Sequence, residues 1–242
     1  LPQNIFSGLF RPAAVFSFAL NFILFGESPV SFHIVNVILN GIVIFLVFLL
    51  VLKIFGDSKL AVITALFFAF LPIHTESVAF IKSRDEILAA LFALWSWLLF
   101  ISATEEGSVL NWKKITGSAM LFLLAVFSKE LIIVVPALFL AVFWVMKKPK
   151  FFFFLKTTSS FLIIGIFYLW LRFQVLGPYA FGQDKSYFAI NPLGYADFWT
   201  RIWTAFKIAF IYINKTFAPI NLSATYHFNH LTLVNNPFLS WQ

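Results

Sequence analysis

Residues 32–54, FHIVNVILNGIVIFLVFLLVLKI, form an apolar run of membrane-spanning length. About 20 apolar residues cross a hydrocarbon core about 30 Å thick, and there every backbone N–H and C=O must be satisfied within the protein. Such a run is a helix. The runs at 60–81, 86–103 and 151–172 meet the same criterion. Only 11% of the chain is charged and 61% is hydrophobic, against about 25% charged in soluble domains. The chain therefore lacks the polar surface to face water and is an integral membrane protein.

The stretch 115–146 is too long for one span: at 1.5 Å per residue it would reach roughly 48 Å. Lys129-Glu130 divides it. Lys113-Lys114 precedes it and Lys147-Lys148-Pro149-Lys150 follows it, and the positive-inside rule places both on the cytoplasmic side. That predicts a hairpin of two short helices with Ser128-Lys129-Glu130 at its outer apex. The same rule assigns 53–59, 104–114 and 147–156 to the cytoplasm. The N-terminal stretch, 74–86 and a Gly/Pro/aromatic loop from about 173 to 196 then fall on the opposite side. Residues 12–25 are apolar but short and read as an interfacial or re-entrant helix. Residues 197–218 carry Arg201, Lys207 and Lys215 opposite an aromatic face, and both a span and an interfacial helix fit them. The expected fold is all-α: a polytopic bundle of about seven membrane helices plus an N-terminal interfacial helix, in a single transmembrane domain over 1–242.

A net charge of +7 in such a chain marks cytoplasmic loops beside anionic lipid rather than nucleic-acid binding. Cysteine is absent, which removes disulfides, thiolate catalysis and Cys-ligated metals together. The chain starts at Leu1 without a basic n-region or cleavage site. Its ends read as cut, with further sequence expected on both sides.

Polar residues are concentrated in a few islands. Residues 72–86, PIHTESVAFIKSRDE, hold His74, Glu76, Lys82, Arg84, Asp85 and Glu86 between apolar runs. Ionisable groups at membrane depth are costly, so they are functional candidates by default. Lys82, Asp85 and Glu86 fit a plainer role, charges that wet a helix end, with both carboxylates suited to the first turn of the next helix. His74 and Glu76, embedded among apolar neighbours, fit a polar site. Lys129-Glu130 either neutralises itself or turns the lysine toward a phosphate, with the glutamate orienting it. Arg11, and His33 with Asn36, add polar groups on the same predicted side. Together these cations suit a phosphate leaving group, the carboxylates suit an acceptor hydroxyl, and the apolar walls suit a lipid tail. His-x-Glu supplies at most two metal ligands and predicts no metal site; the carboxylates leave a divalent metal open as a cofactor.

Three segments, 11–40, 69–92 (AFLPIHTESVAFIKSRDEILAALF) and 128–144 (SKELIIVVPALFLAVFW), resemble the membrane portion of the transmembrane and tetratricopeptide-repeat (TMTC) proteins and their bacterial relatives. FAPINLSATYHF (217–228) extends the resemblance over most of the chain. It implies a GT-C-like bundle acting as a glycosyltransferase. The donor would be a polyprenyl-phosphate sugar and the acceptor a protein or glycan, with the site on the extracytoplasmic or lumenal face. It also implies a catalytic acidic loop after a first span upstream of this chain, and repeats downstream. The matching positions are Arg11, His33, Asn36, His74, Glu76, Arg84, Lys129 and Glu130. Arg84 and Lys129 are expected at the donor phosphate. His74 and Glu76 are expected to orient donor or acceptor, with the other four supporting. Ser83 stands where the family often has glycine. The competing readings are a transporter or flippase for a lipid-linked glycan, which needs polar groups through the midplane, and a non-catalytic scaffold for repeats.

Overall fold

A computed structural model describes residues 9–105, 111–147, 151–177, 180, 192–217 and 232–234. Among these the secondary structure is helical, without strands. The chain forms two compact units, one of residues 1–70 and 77–180, the other of residues 71–76 and 181–242.

In the first unit, α1 (Pro12–Phe25) and α2 (Pro29–Phe55) each begin with proline, whose missing N–H costs nothing in a first turn. Gly26 and Gly56 end them at φ 69° and 71°, where a Cβ would be strained. Next comes α3 (Ser58–Phe70). The expected span over 60–81 is therefore not one helix. Leu71 precedes Pro72 and adopts extended backbone, φ −65° and ψ 117°, as a residue before proline does. Helix α3, at 13 residues, is about 20 Å long. A 3-10 turn at Pro72–His74 and the short α4 (Thr75–Ala79) follow. A second 3-10 turn, Ile81–Ser83, leads into α5 (Arg84–Glu105).

The hairpin over 115–146 is present. Helix α6 (Trp112–Ser128) stops at Lys129, whose backbone is extended at φ −151° and ψ 127°. A 3-10 turn (Glu130–Val134) leads into α7 (Val135–Lys147). Pro136, the second residue of α7, would clash with the Ile132 carbonyl in a continuous α-helix, so no unbroken helix enters α7 from 132. Helix α8 (Phe151–Leu176) begins earlier than the expected loop end and continues into the expected 173–196 loop. Most of that loop lies outside the described residues.

Among the described residues three helical segments are long and apolar enough to cross a membrane: Pro29–Phe55, Ile81–Thr104 and Phe154–Leu176. Helix α1, α3 and the 130–145 segment are shorter apolar helices. The packing is inverted relative to a soluble protein. Asn21, Asn36, Arg84, Ser96, Ser118, Thr157 and Thr158 are buried, while Val30, Ile34, Ile38, Phe45, Ile163, Ile166 and Trp170 are exposed. Outward apolar surface on this scale is stable only against lipid. The fold is an all-α membrane bundle.

Two cores hold this unit. Trp97 of α5 stacks on Phe100 at 4.9 Å and on Phe139 of α7 at 4.8 Å. Phe161 of α8 meets Phe100 at 5.4 Å and Phe122 of α6 at 5.3 Å. Val43 and Leu46 of α2 pack with Ile87 and Leu91 of α5. Small residues let α5 and α6 approach closely. Ser96 Oγ donates to the Ser118 carbonyl and Ser118 Oγ to the Ser96 carbonyl, both at 2.7 Å. A Cβ on Gly117 would lie 3.3 Å from Leu99.

In the second unit, the 3-10 turn Pro192–Tyr195 precedes α9 (Phe198–Phe217). Asp197 caps α9, its Oδ2 accepting from Trp199 and Thr200 N–H at 3.1 Å. Although 20 residues long, α9 is not among the helices apolar enough to span.

Interhelical hydrogen bonds in lipid are worth about 0.6–2 kcal/mol. Ser96→Ala and Ser118→Ala, each removing one hydroxyl-to-carbonyl bond, are therefore expected to cost about 1 kcal/mol apiece, read by unfolding in detergent.

Candidate functional site

The islands that the sequence separates by more than a hundred residues meet in the first unit. Arg11, immediately before α1, directs Nε to Glu130 Oε2 at 2.9 Å and Nη2 to Glu130 Oε1 at 2.8 Å, a bidentate fork. Its Nη1 pairs with Asp85. Lys129, swung out by its extended backbone, pairs with Glu86, and Glu86 also accepts from Ser77 Oγ at 2.8 Å. The start of α1, the start of α5 and the α6–α7 break thus converge on one network of two cations and three carboxylates. These groups are partly buried, with side-chain exposures of 17% for Arg11 and 20% for Lys129. Such pairing is stronger than at an open surface.

The fork raises the Arg11 pKa above its ordinary value, against the opposing effect of burial. Burial pushes the Glu130 carboxyl up, but the hydrogen bonds from Arg11 outweigh it and the net shift is downward. Arg172 of α8 adds its positive field at Glu130. Its Nη1 lies 3.1 Å from Tyr168 Oη, and its Nε donates to the Ala180 carbonyl at 2.9 Å. Tyr168 reaches the Phe10 carbonyl at 3.4 Å, next to Arg11. Arg172 and Tyr168 were not singled out from the sequence. The signal was there, since an arginine near the end of an apolar helix is a functional candidate by default.

Asp85 and Glu86, expected to wet a helix end, do stand in the first turn of α5, but each is ion-paired. Arg84 behaves differently again. It is 1% exposed and places four N–H donors on protein acceptors. Nε donates to Asn36 Oδ1 at 2.7 Å, Nη2 to Asn21 Oδ1 and the Phe32 carbonyl at 2.9 Å, and Nη1 to the Ser17 carbonyl at 3.3 Å. The Phe18 and Phe32 rings flank it at 4.7 and 5.3 Å. Asn36 is fully buried and also donates to the Ile81 carbonyl at 3.4 Å. His33 is exposed on α2.

His74 and Glu76 belong to the second unit. His74 is half-buried and Glu76 exposed. Burial lowers the His74 pKa, so the imidazole is neutral at neutral pH and can both donate and accept. Among the described residues no three His, Asp or Glu side chains are placed to hold a metal ion.

Arg84→Lys removes the planar fork and leaves buried acceptors on α1 and α2 without donors. A loss of about 2–4 kcal/mol is expected, read as a lowered unfolding midpoint in detergent. A second expectation concerns acid. Glu130 has a folded pKa below its unfolded value, so its stabilisation is present above about pH 4–5 and is lost as pH falls through the folded value. Stability measured from about pH 6 down to 3 should fall less steeply in Glu130→Gln than in the parent.

Residues 11–173 match the dolichyl-phosphate-mannose-protein mannosyltransferase family. The chain is 36% identical to human protein O-mannosyl-transferase TMTC3 over 121 residues, which is 50% of this chain and 13% of that protein. It is 39% identical to mouse protein O-mannosyl-transferase TMTC1 over 119 residues, 49% of this chain and 13% of that one. To human protein O-mannosyl-transferase TMTC2 it is 37% identical over 113 residues, 46% and 14% respectively. The matched part is thus about an eighth of the length of these curated relatives. No solved structure matches. The family match covers the break at Lys129, the buried Arg84 and both halves of the charged network, so the chain belongs to the dolichyl-phosphate-mannose-protein mannosyltransferase family.

Proposed function

We propose that this chain is membrane machinery of a glycosyltransferase. It would move a sugar, mannose by the relatives' names, from a polyprenyl-phosphate donor to an acceptor hydroxyl at the extracytoplasmic or lumenal face, with a protein or glycan as acceptor. The observation that carries the proposal is the network of Arg11 and Lys129 with Asp85, Glu86 and Glu130. In transfer, the acceptor oxygen bonds to the anomeric carbon and loses its proton to a carboxylate acting as base. The bond from that carbon to the phosphate oxygen breaks, and the polyprenyl phosphate departs with the electron pair. Negative charge develops on the phosphate. Preorganised cations stabilise it where water is excluded.

Arg11 and Lys129 supply that stabilisation, and the three carboxylates hold them in place between turnovers. Arg172, whose field reaches Glu130, adds positive charge to the same group. The sequence expectation put Arg84 beside Lys129 at the phosphate. Its engaged donors support a positioning role instead, holding Asp85 and Glu86 at the start of α5. Asn36 shares that role, and Glu130 orients Arg11. His74 and Glu76 orient donor or acceptor, and His33 remains a supporting residue.

The transporter reading requires ionisable groups through the midplane. In α2, α5 and α8 such groups stand within about two turns of one helix end or the other, which favours chemistry at a rim over passage through the midplane.

Arg11→Gln, Lys129→Gln, His74→Ala and Glu76→Gln are to be assayed in the full-length gene product with polyprenyl-phosphate mannose as donor. Each should lower turnover by on the order of 10²-fold at normal expression. Parental turnover in all four variants sinks the assignment.

A further inference from the structure

Helix α9 lies beyond the residues that match the family. Trp199, Phe206, Ile213 and Phe217 recur along it at intervals of about two, two and one turns and form one stripe. All four are exposed, from 58% for Ile213 to 76% for Phe217. The opposite side faces protein. Thr200 and Thr204 are buried, and Thr204 Oγ1 accepts from Val234 N–H at 3.0 Å. Lys207 Nζ donates to Thr232 Oγ1 at 2.8 Å. The hydroxyls therefore pack inward and the aromatic rings point outward.

Three cations, Arg201, Lys207 and Lys215, are distributed along the whole helix outside the stripe, Arg201 and Lys215 opposite it and Lys207 on its flank. In the helix itself no carboxylate opposes them; Asp197, just before it, is spent on the cap. If α9 crossed the bilayer, Lys207, midway along the helix, would sit at the costliest depth. If it lies in the membrane plane, the four stripe side chains reach the acyl chains while the cations stay toward the headgroups. The rings fix the depth and the cations fix the preference for anionic lipid.

We propose that α9 is an in-plane, interfacial helix whose aromatic stripe docks on an anionic phospholipid leaflet. Large one-sided apolarity, a cationic polar face and low overall hydrophobicity are the physical signature of such a helix, and its length is no argument against it.

The chain contains no cysteine, so single cysteines can be introduced at Trp199, Phe206, Ile213 and Phe217, with exposed Arg201, about 160° round the helix from Trp199, as the polar-side control. Each variant is spin-labelled in vesicles of phosphatidylcholine with and without phosphatidylglycerol, and its depth is read from oxygen against nickel-chelate collision rates. The stripe positions are exposed, so substitution there leaves the packed side of α9 intact. The expected result is a common shallow depth for all four stripe labels, about 5–10 Å below the headgroups, with the label at position 201 in the aqueous phase. Phosphatidylglycerol should lower the nickel-chelate accessibility of the stripe further. Depth that rises to a maximum near Phe206 and falls again overturns the proposal in favour of a span. Stripe labels inaccessible to both quenchers overturn it in favour of a protein partner. Aqueous exposure of all labels overturns it outright.

Discussion

A guanidinium offers five N–H donors in one plane, and Arg84 places four of them on α1 and α2 from the first residue of α5. Few side chains could join three helices at one point in a medium without water. Its charge is offset by two amide oxygens, two backbone carbonyls and two aromatic faces, with no carboxylate among its hydrogen-bond partners. Neutral acceptors of this kind make the arrangement demanding, because each becomes a buried unsatisfied group if the arginine is lost. The next two residues are Asp85 and Glu86. Anchoring Arg84 therefore also sets where those carboxylates stand, and through them where Arg11 and Lys129 are held.

The α6–α7 break supplies the other half. A helix running through residue 129 would keep Lys129 and Glu130 on its surface, committed to the helical spacing. Helix α6 ends there instead, and the extended backbone at Lys129 releases adjacent side chains toward two different partners, Glu86 and Arg11. Backbone irregularity at membrane depth persists only where protein or a polar cavity surrounds it. Here the ion pairs and the flanking aromatic contacts of Phe10 with Phe127 and Tyr168 provide that surrounding. Local irregularity and the charged network support one another.

Particular elements show how far the sequence could be read. The break at Lys129 was legible because an apolar run too long for one span carried its own interruption. The stop at Phe70 was hidden, since Leu71-Pro72 lies inside an apolar stretch whose hydropathy does not change there. Asp85 and Glu86 looked like solvated charges because their partners lie 74 and 43 residues away. Arg84 looked like a ligand-binding cation because nothing in its own segment announces that Asn21 and Asn36 will accept from it. Asn21 was the unread clue: a lone amide in an otherwise apolar short helix must satisfy itself inside the protein.

Apolar run length and the scarcity of charge determined, without coordinates, that this chain is an all-α membrane protein, because lipid leaves the backbone few other ways to satisfy its polar groups. The spacing of polar islands also marked where chemistry would be sought. Which island meets which, and whether a given arginine faces inward as an anchor or outward as a ligand, was decided only by tertiary packing. Those choices depend on the distance and orientation of groups far apart in the chain. Hydropathy and periodicity report only how each segment meets its solvent.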